Sequence, residues 1–171
     1  LSDLDHIPVI GEVDLLEGCV MRVLFPGVHV ATRRLLRRLG FEVRERDLGC
    51  CGALHAHNGL LDEARRLARA LPSDLQIVVN SAGCGSWMKD SGVPAIDISE
   101  FLVQNGLHDL LAQAKPFEKT ITYHDACHLA HGQRVTQPPR QLLRAIPGVQ
   151  WVDLRESDLC CGSAGIYNVT Q

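Results

Sequence analysis

Short apolar runs alternate with amphipathic stretches along the chain. Residues 13–20 read as a strand that leads into Cys19. Val28, Thr32, Leu35, Leu36 and Leu39 then recur at helical spacing, with Arg33, Arg34, Arg37 and Arg38 as a solvated polar face, and Gly40 suits the helix end. Residues 41–46 alternate weakly and read as a second strand. Asn58 suits the N-cap of an amphipathic helix carrying Leu60, Leu61, Ala64, Leu67, Ala68 and Leu71, with Pro72 just beyond it. Residues 75–80 are rich in β-branched side chains and predict a buried strand, ending in the small-residue loop Ser81-Ala82-Gly83-Cys84-Gly85. A helix follows Ser99 and is broken or re-aimed at Gly106. The order then restarts with a strand over 120–124 leading to Cys127. A helix over 140–146 is entered through Pro138 and Pro139, Gly148 marks a turn, and a strand over 149–154 runs toward Cys160.

The two halves thus repeat one order: strand, cysteine, helix, glycine turn, strand, Cys-Cys-Gly. Leu35-Leu36-Arg37 parallels Leu142-Leu143-Arg144, and Asn58 and Asn168 follow their triplets at the same distance. The expected fold is α/β, with two pseudo-repeated half-domains spanning 1–115 and 116–171. Each is a small, mostly parallel sheet flanked by helices, with cysteine loops at the strand ends, where sites of open α/β sheets gather.

All seven cysteines belong to this repeat. The triplets are Cys50-Cys51-Gly52 and Cys160-Cys161-Gly162; Cys19 lies 31 positions before Cys50, Cys127 lies 33 before Cys160, and Cys84 lies 33 after Cys51. An odd count weakens a disulfide framework, and adjacent cysteines cannot bridge without strain. Two adjacent thiolates can face one metal centre, so each half predicts one site: Cys19, Cys50, Cys51 and Cys84 in the first, Cys127, Cys160 and Cys161 in the second. Thiolates select zinc, copper(I) or iron–sulfur clusters. Ligands brought singly from distant loops match neither the close pairs of zinc fingers nor the tight runs of ferredoxins, and suit a larger or irregular cluster. Buried, inert cysteines are the blander reading, and the repeated spacing argues against it. Gly52, Gly83, Gly85 and Gly162 would let backbone approach inorganic sulfide.

Other residues change the picture less. His124, His128 and His131 surround Cys127, and His55 and His57 follow the first triplet. A hydrogen-bonding role beside sulfur suits them better than ligation. His29 and His108 read as surface residues, and Trp87 and Trp151 as packing residues. The net charge of −3 argues against nucleic-acid binding, and no apolar run reaches the length of a membrane span. No nucleophile–base constellation or phosphate-binding loop is present. Seven cysteines without an export signal fit a reducing, cytoplasmic setting.

Four segments carry a family resemblance. They are Asp47-Leu48-Gly49-Cys50-Cys51-Gly52-Ala53-Leu54-His55, Asn80-Ser81-Ala82-Gly83-Cys84-Gly85, Tyr123-His124-Asp125-Ala126-Cys127-His128-Leu129-Ala130-His131-Gly132-Gln133 and Cys160-Cys161-Gly162-Ser163-Ala164-Gly165-Ile166-Tyr167-Asn168. They resemble the iron–sulfur subunit of bacterial glycolate oxidase and, more broadly, the cysteine-rich CCG domain. That domain is shared with lactate-utilisation iron–sulfur proteins, anaerobic glycerol-3-phosphate dehydrogenase subunits and heterodisulfide reductase. The resemblance implies an iron–sulfur (4Fe-4S type) electron-transfer role, with the seven cysteines as ligands. It implies a flavin-containing dehydrogenase subunit as electron donor and a quinone or other acceptor beyond, with the chain lacking its own substrate site and touching the inner face of the membrane only through such a complex. A thiol–disulfide reductase subunit and a zinc-binding remnant without redox activity are the alternatives. Three departures bear on them. Trp87 stands where the superfamily pattern has a further cysteine, and the closely spaced ferredoxin cysteines that precede this domain in the glycolate oxidase subunit are absent. The closing cysteine element of the second half would lie roughly 35 residues downstream by analogy with the first repeat, so the chain, which opens on Leu1, is expected to be a fragment.

Overall fold

The computed structural model describes residues 4–162 and 165–170. Ser163 and Ala164 of the fourth segment, and the side chain of Asn168, lie outside the described residues. The larger sheet has four parallel strands, β1 (Gly11–Leu16), β2 (Phe41–Val43), β3 (Ile77–Val79) and β4 (Ala95–Asp97), in the order β2-β1-β3-β4. Strand periodicity splits its residues between two buried faces. Val13, Leu15 and Val78 face one core with Leu36, Ile96 and Phe101, while Leu16, Ile77 and Val79 face another with Ala53, Leu71 and Met88. Helices cover both faces, as a parallel sheet requires. They are α1 (Cys19–Leu24) and α2 (Pro26–Arg38) between β1 and β2, α3 (Ala53–His57) and α4 (Leu61–Arg69) between β2 and β3, and α5 (Ala82–Asp90) between β3 and β4. After β4, α6 (Ile98–Gln104) starts at a capping box in which Asp97 accepts from Ser99 N while Glu100 reaches back to Asp97 N. Gly106 turns the chain into α7 (Leu107–Leu111).

The second half pairs β5 (Thr120–Ile121) with β6 (Gln150–Trp151), again parallel. A π-helical turn (His128–Gly132) and α8 (Gln137–Arg144) lie between them, and α9 (Tyr167–Thr170) follows. The α/β class, the parallel pairing and the repeated order are therefore as expected. The halves pack closely. A Cβ on Gly132 would lie 2.5 Å from Ser86 Oγ and one on Gly85 2.6 Å from Gln133 Nε2, so α5 and the π-helical turn meet through missing side chains. Gln133 Nε2 also donates to Ala82 O at 2.9 Å. Among the described residues no helix is long and apolar enough to cross a membrane.

Several local expectations are corrected. The strand expected over 13–20 stops at Leu16, and Cys19 opens a helix. The loop expected at 81–85 is the first turn of α5; its two glycines hid a helix whose later residues Ser86 and Met88 are buried. Asn58 ends α3, its amide donating to Leu54 O at 2.7 Å, and does not start α4. Leu60 and Leu61 stay exposed while Ala64, Ala68 and Leu71 are buried. Arg33 and Arg37 of the arginine face are anchored, Arg33 to Glu17 and Glu45 and Arg37 to Ile7 O. Gly52 has φ 90°, and a Cβ there would meet Ala64 O at 2.6 Å, so this glycine admits α4 against the triplet.

A buried ion pair braces the second half. Asp125 takes both Arg140 nitrogens, at 2.7 and 2.6 Å, and its backbone N–H donates to Ser157 O at 2.7 Å. Arg140 also donates to Thr136 O and Ser157 Oγ and lies over the Tyr123 ring. The hydrogen bonds from Arg140 hold the Asp125 carboxyl below its ordinary pKa. Its stabilisation is therefore complete above the unfolded carboxyl value of about 4 and is lost as pH falls through the depressed native value. Removing one partner of such a pair costs about 3–5 kcal/mol. Asp125→Asn is expected to lower urea stability at pH 7 by about that amount. It should also flatten the loss of stability below about pH 4, read from denaturation midpoints across the acid range.

Candidate metal centre

Every cysteine element leaves the carboxyl end of a strand. Cys19 follows β1, Cys50 and Cys51 follow β2 through an extended segment, Cys84 follows β3, Cys127 follows β5, and Cys160 and Cys161 follow β6. The order β2-β1-β3-β4 reverses direction between β1 and β3, and the crevice outside that switch point is where open α/β sheets bind ligands. Cys19 and Cys84 flank this crevice.

The segment from β2 to Cys50 is held by charge. Arg46 pairs with the fully buried Asp14 of β1, Nε to Oδ1 at 2.7 Å, and with Asp74 at 2.8 Å. Arg44 pairs with Asp74 and Glu12. Asp47 accepts from Gly49 N and from Arg22 of α1, both at 2.8 Å, which ties the Cys50 loop to the Cys19 helix.

The sulfurs meet as a consequence. Cys19 Sγ and Cys50 Sγ are 3.8 Å apart. Cys51 and Cys84 are neighbours in the second core beside Met88 and Trp87. The neighbouring Cys51 pulls the Cys84 thiol down to about 7 against the opposing effect of burial, helped by Ser81. The neighbouring Cys84, then burial, pushes Cys51 up. Burial, followed by the neighbouring Cys50, raises Cys19. In the second half Cys127 is raised by burial and by its hydrogen bond with Cys160, and its Sγ lies 3.6 Å from His128 Nδ1.

The two expected sites share one space. A cavity of about 550 Å³ is lined by Cys19, Cys50, Cys51 and Cys84 from the first half and by Cys127 and Cys161 from the second, and Cys160 sits against Cys127. Its remaining wall is largely apolar, with Met21, Leu24 and Phe25 prominent. His57 and His128 meet across it with ring centroids 5.1 Å apart, and burial followed by the neighbouring His128 lowers the His57 pKa. His124 lines the cavity, and His131 contacts Asp158 O at 3.0 Å in the loop before Cys160. Among the described residues no three Cys, His, Asp or Glu side chains converge on a single-ion position.

Three residues depart from their sequence reading. His29 is 3% exposed and lines the cavity, with Asn80 at its Nδ1; helical spacing from Thr32 and Leu36 could have revealed it. Gly85 makes room for Gln133 and Gly52 for α4, so these two glycines serve packing within the protein. Trp87 does pack, one turn after Cys84 on α5 and against the second core, but its indole Nε1 is buried without a partner among the described residues. Trp151 lies under Arg144 and bonds Asp153, and His108 is exposed beside Asp109.

The model of the CCG cysteine-rich domain matches residues 13–89 and again 121–171. The chain belongs to the CCG cysteine-rich domain family. It is 38% identical over 90% of its length to a subunit of the fumarate reductase (CoM/CoB) of Methanothermobacter marburgensis, covering 33% of that protein. It is 32% identical over 99% of its length to the probable glycolate oxidase iron-sulfur subunit of Bacillus subtilis, covering 45% of it. A subunit of the dihydromethanophenazine:CoB--CoM heterodisulfide reductase of Methanosarcina barkeri is 35% identical over 86% of this chain, which covers 42% of that protein. This CCG chain thus spans a third to less than half of these relatives. The twofold match falls on the two halves of the fold, each carrying one Cys-Cys-Gly triplet.

The sulfur geometry has a direct check. A short thiol-bridging reagent applied to metal-free protein is expected to join Cys19 to Cys50. Peptide mapping should find that link in the native chain and lose it in Cys50→Ser.

Proposed function

We propose that this chain is the iron–sulfur, electron-transfer portion of a flavin-dependent oxidoreductase of the glycolate type. The single observation that carries this reading is the shared cavity, in which thiols from both repeats face one another at the strand ends. Cys19, Cys50, Cys51 and Cys84 would hold one cluster of the 4Fe-4S type, and Cys127, Cys160 and Cys161 would contribute to a second. Such a group supplies one-electron transfer, its potential set by charge, hydrogen bonds and exposure. The protein side fits it. The donors are all soft thiols, the ligand type that iron–sulfur clusters take. Substrate oxidation falls to a flavoprotein partner, and a quinone or other acceptor takes the electrons onward. Any membrane association runs through that complex. We propose 115/116 as the boundary between the half-domains, within the stretch that separates the two family matches.

The apolar wall beside the thiols, together with the names of the methanogen relatives, favours a second reading as a disulfide-reducing subunit. Two electrons and two protons would then convert a disulfide into two thiols at this cavity. Oxidation of the reduced protein by a disulfide, with no flavin subunit present, distinguishes the two.

Anaerobic preparation followed by iron and sulfide analysis and EPR is expected to find iron with inorganic sulfide. Cys84→Ser should lose the first set's share. Full zinc occupancy with no iron under the same conditions would sink the proposal in favour of a structural zinc domain.

A further inference from the structure

Two thiols of the first set face each other, and electron transfer does not call on what they can do together. Cys19 Sγ and Cys50 Sγ are 3.8 Å apart, close to contact for two sulfur atoms, although 31 positions separate them. Cys19 is exposed and Cys50 half-buried, so a solute can reach the pair. The other thiols of the set differ. Cys51 is 3% exposed and lies with Cys84 at the second core. Cys50 cannot turn to Cys51 either, because a bridge between adjacent residues is strained.

The two elements are tied on one side and unpacked on the other. Arg22 of α1 holds Asp47 of the Cys50 loop at 2.8 Å, which keeps the two approaches together. Gly18 and Gly49 precede the two cysteines, and a Cβ at either would meet nothing within 4 Å. None of the α1 residues is buried. A disulfide needs its sulfurs at about 2.05 Å. Side-chain rotation and small shifts of these unpacked approaches can cover the difference while both cores stay in place.

We infer that Cys19 and Cys50 of the metal-free chain form a reversible disulfide with a low-molecular-weight disulfide as oxidant, and that this link shuts the first set to iron. The chemistry is two thiol–disulfide exchanges. In the first, the thiolate of one cysteine attacks the small disulfide, joins one half of it and releases the other half as a thiol. In the second, the partner cysteine attacks this mixed disulfide, joins the two protein sulfurs and releases the remaining half. The protein pair loses two electrons and two protons, and the small disulfide gains them as it becomes two thiols. A disulfide offers no thiolate to a metal, so the linked set keeps only Cys51 and Cys84. The link also keeps both sulfurs from further oxidation to sulfinic acid. The effect on iron rests on the iron–sulfur reading above; the disulfide itself does not.

The test equilibrates the metal-free chain with oxidised glutathione, blocks the remaining thiols with an alkylating reagent and digests without reduction. Mass spectrometry is expected to find the Cys19 peptide joined chiefly to the Cys50 peptide. In urea the same treatment should spread Cys19 over several partners. In Cys50→Ser, Cys19 should instead carry glutathione. The linked chain should take up less iron and sulfide than the reduced chain, by the share that is lost in Cys84→Ser, and a dithiol reductant should restore it. A native chain whose Cys19 stays free or carries only glutathione, or pairs as broadly as in urea, overturns the inference. So does a fully linked chain that takes up as much iron as the reduced one. A reduced chain that takes up no iron overturns the iron–sulfur reading, and the effect on iron with it, and leaves the disulfide standing.

Discussion

Two buried carboxylate–guanidinium pairs hold the cysteine loops, and the site depends on both. Asp14 on β1 anchors Arg46, which lies in the stretch leading to Cys50. Asp125, two residues before Cys127, anchors Arg140 on α8, and through Ser157 reaches the stretch leading to Cys160. Each pair links the element before the repeat's first cysteine to the approach to its Cys-Cys-Gly triplet. Loops with small side chains and several glycines have little apolar area of their own to bury. A charged clamp is geometrically specific where packing is not, although its net stability is modest once desolvation is counted.

The clamps act on a framework set by topology. Parallel strands joined by right-handed crossovers deliver successive loops to one edge of the sheet. With β1 and β3 adjacent, the loops carrying Cys19 and Cys84 emerge side by side, although far apart in sequence. The second half repeats the logic with two strands and turns its own edge toward the first. Close approach at Gly85 and Gly132 brings the halves together, so the cysteines of both share a cavity where two separate sites were expected.

Much of this was legible in the sequence because periodicity and repetition are local signals. The buried run Ile77–Val79, the helix ended by Gly40 and the turn at Gly106 stand out by pattern, and cysteine spacing identified the thiols that the fold gathers. Other features depended on partners distant in sequence. The first turn of α5 is rich in small residues, and its helix is completed by burial of Ser86 and Met88 rather than by propensity. Asn58 is an N-cap by type but faces backward once Gly59 turns the chain. His29 shares the buried helix face of Thr32 and Leu36 by spacing, but its partner Asn80 lies 51 positions away.

The halves differ in burial, and that difference has chemical weight. Cys51 is 3% exposed and Cys84 half-buried, whereas Cys160 and Cys161 are exposed. Negative charge on the buried Cys51 sulfur is closed to water and must be met by protein dipoles, whereas Cys19 of the same set is exposed. Three buried ring nitrogens without partners among the described residues, His29 Nε2, His55 Nδ1 and Trp87 Nε1, all belong to the first half. His55 lies on the helix after Cys50-Cys51, and Trp87 one turn after Cys84. The second set lies where water can do the same work. Of these three residues His29 alone lines the thiol cavity, so what the nitrogens share is burial in the first half and not contact with sulfur.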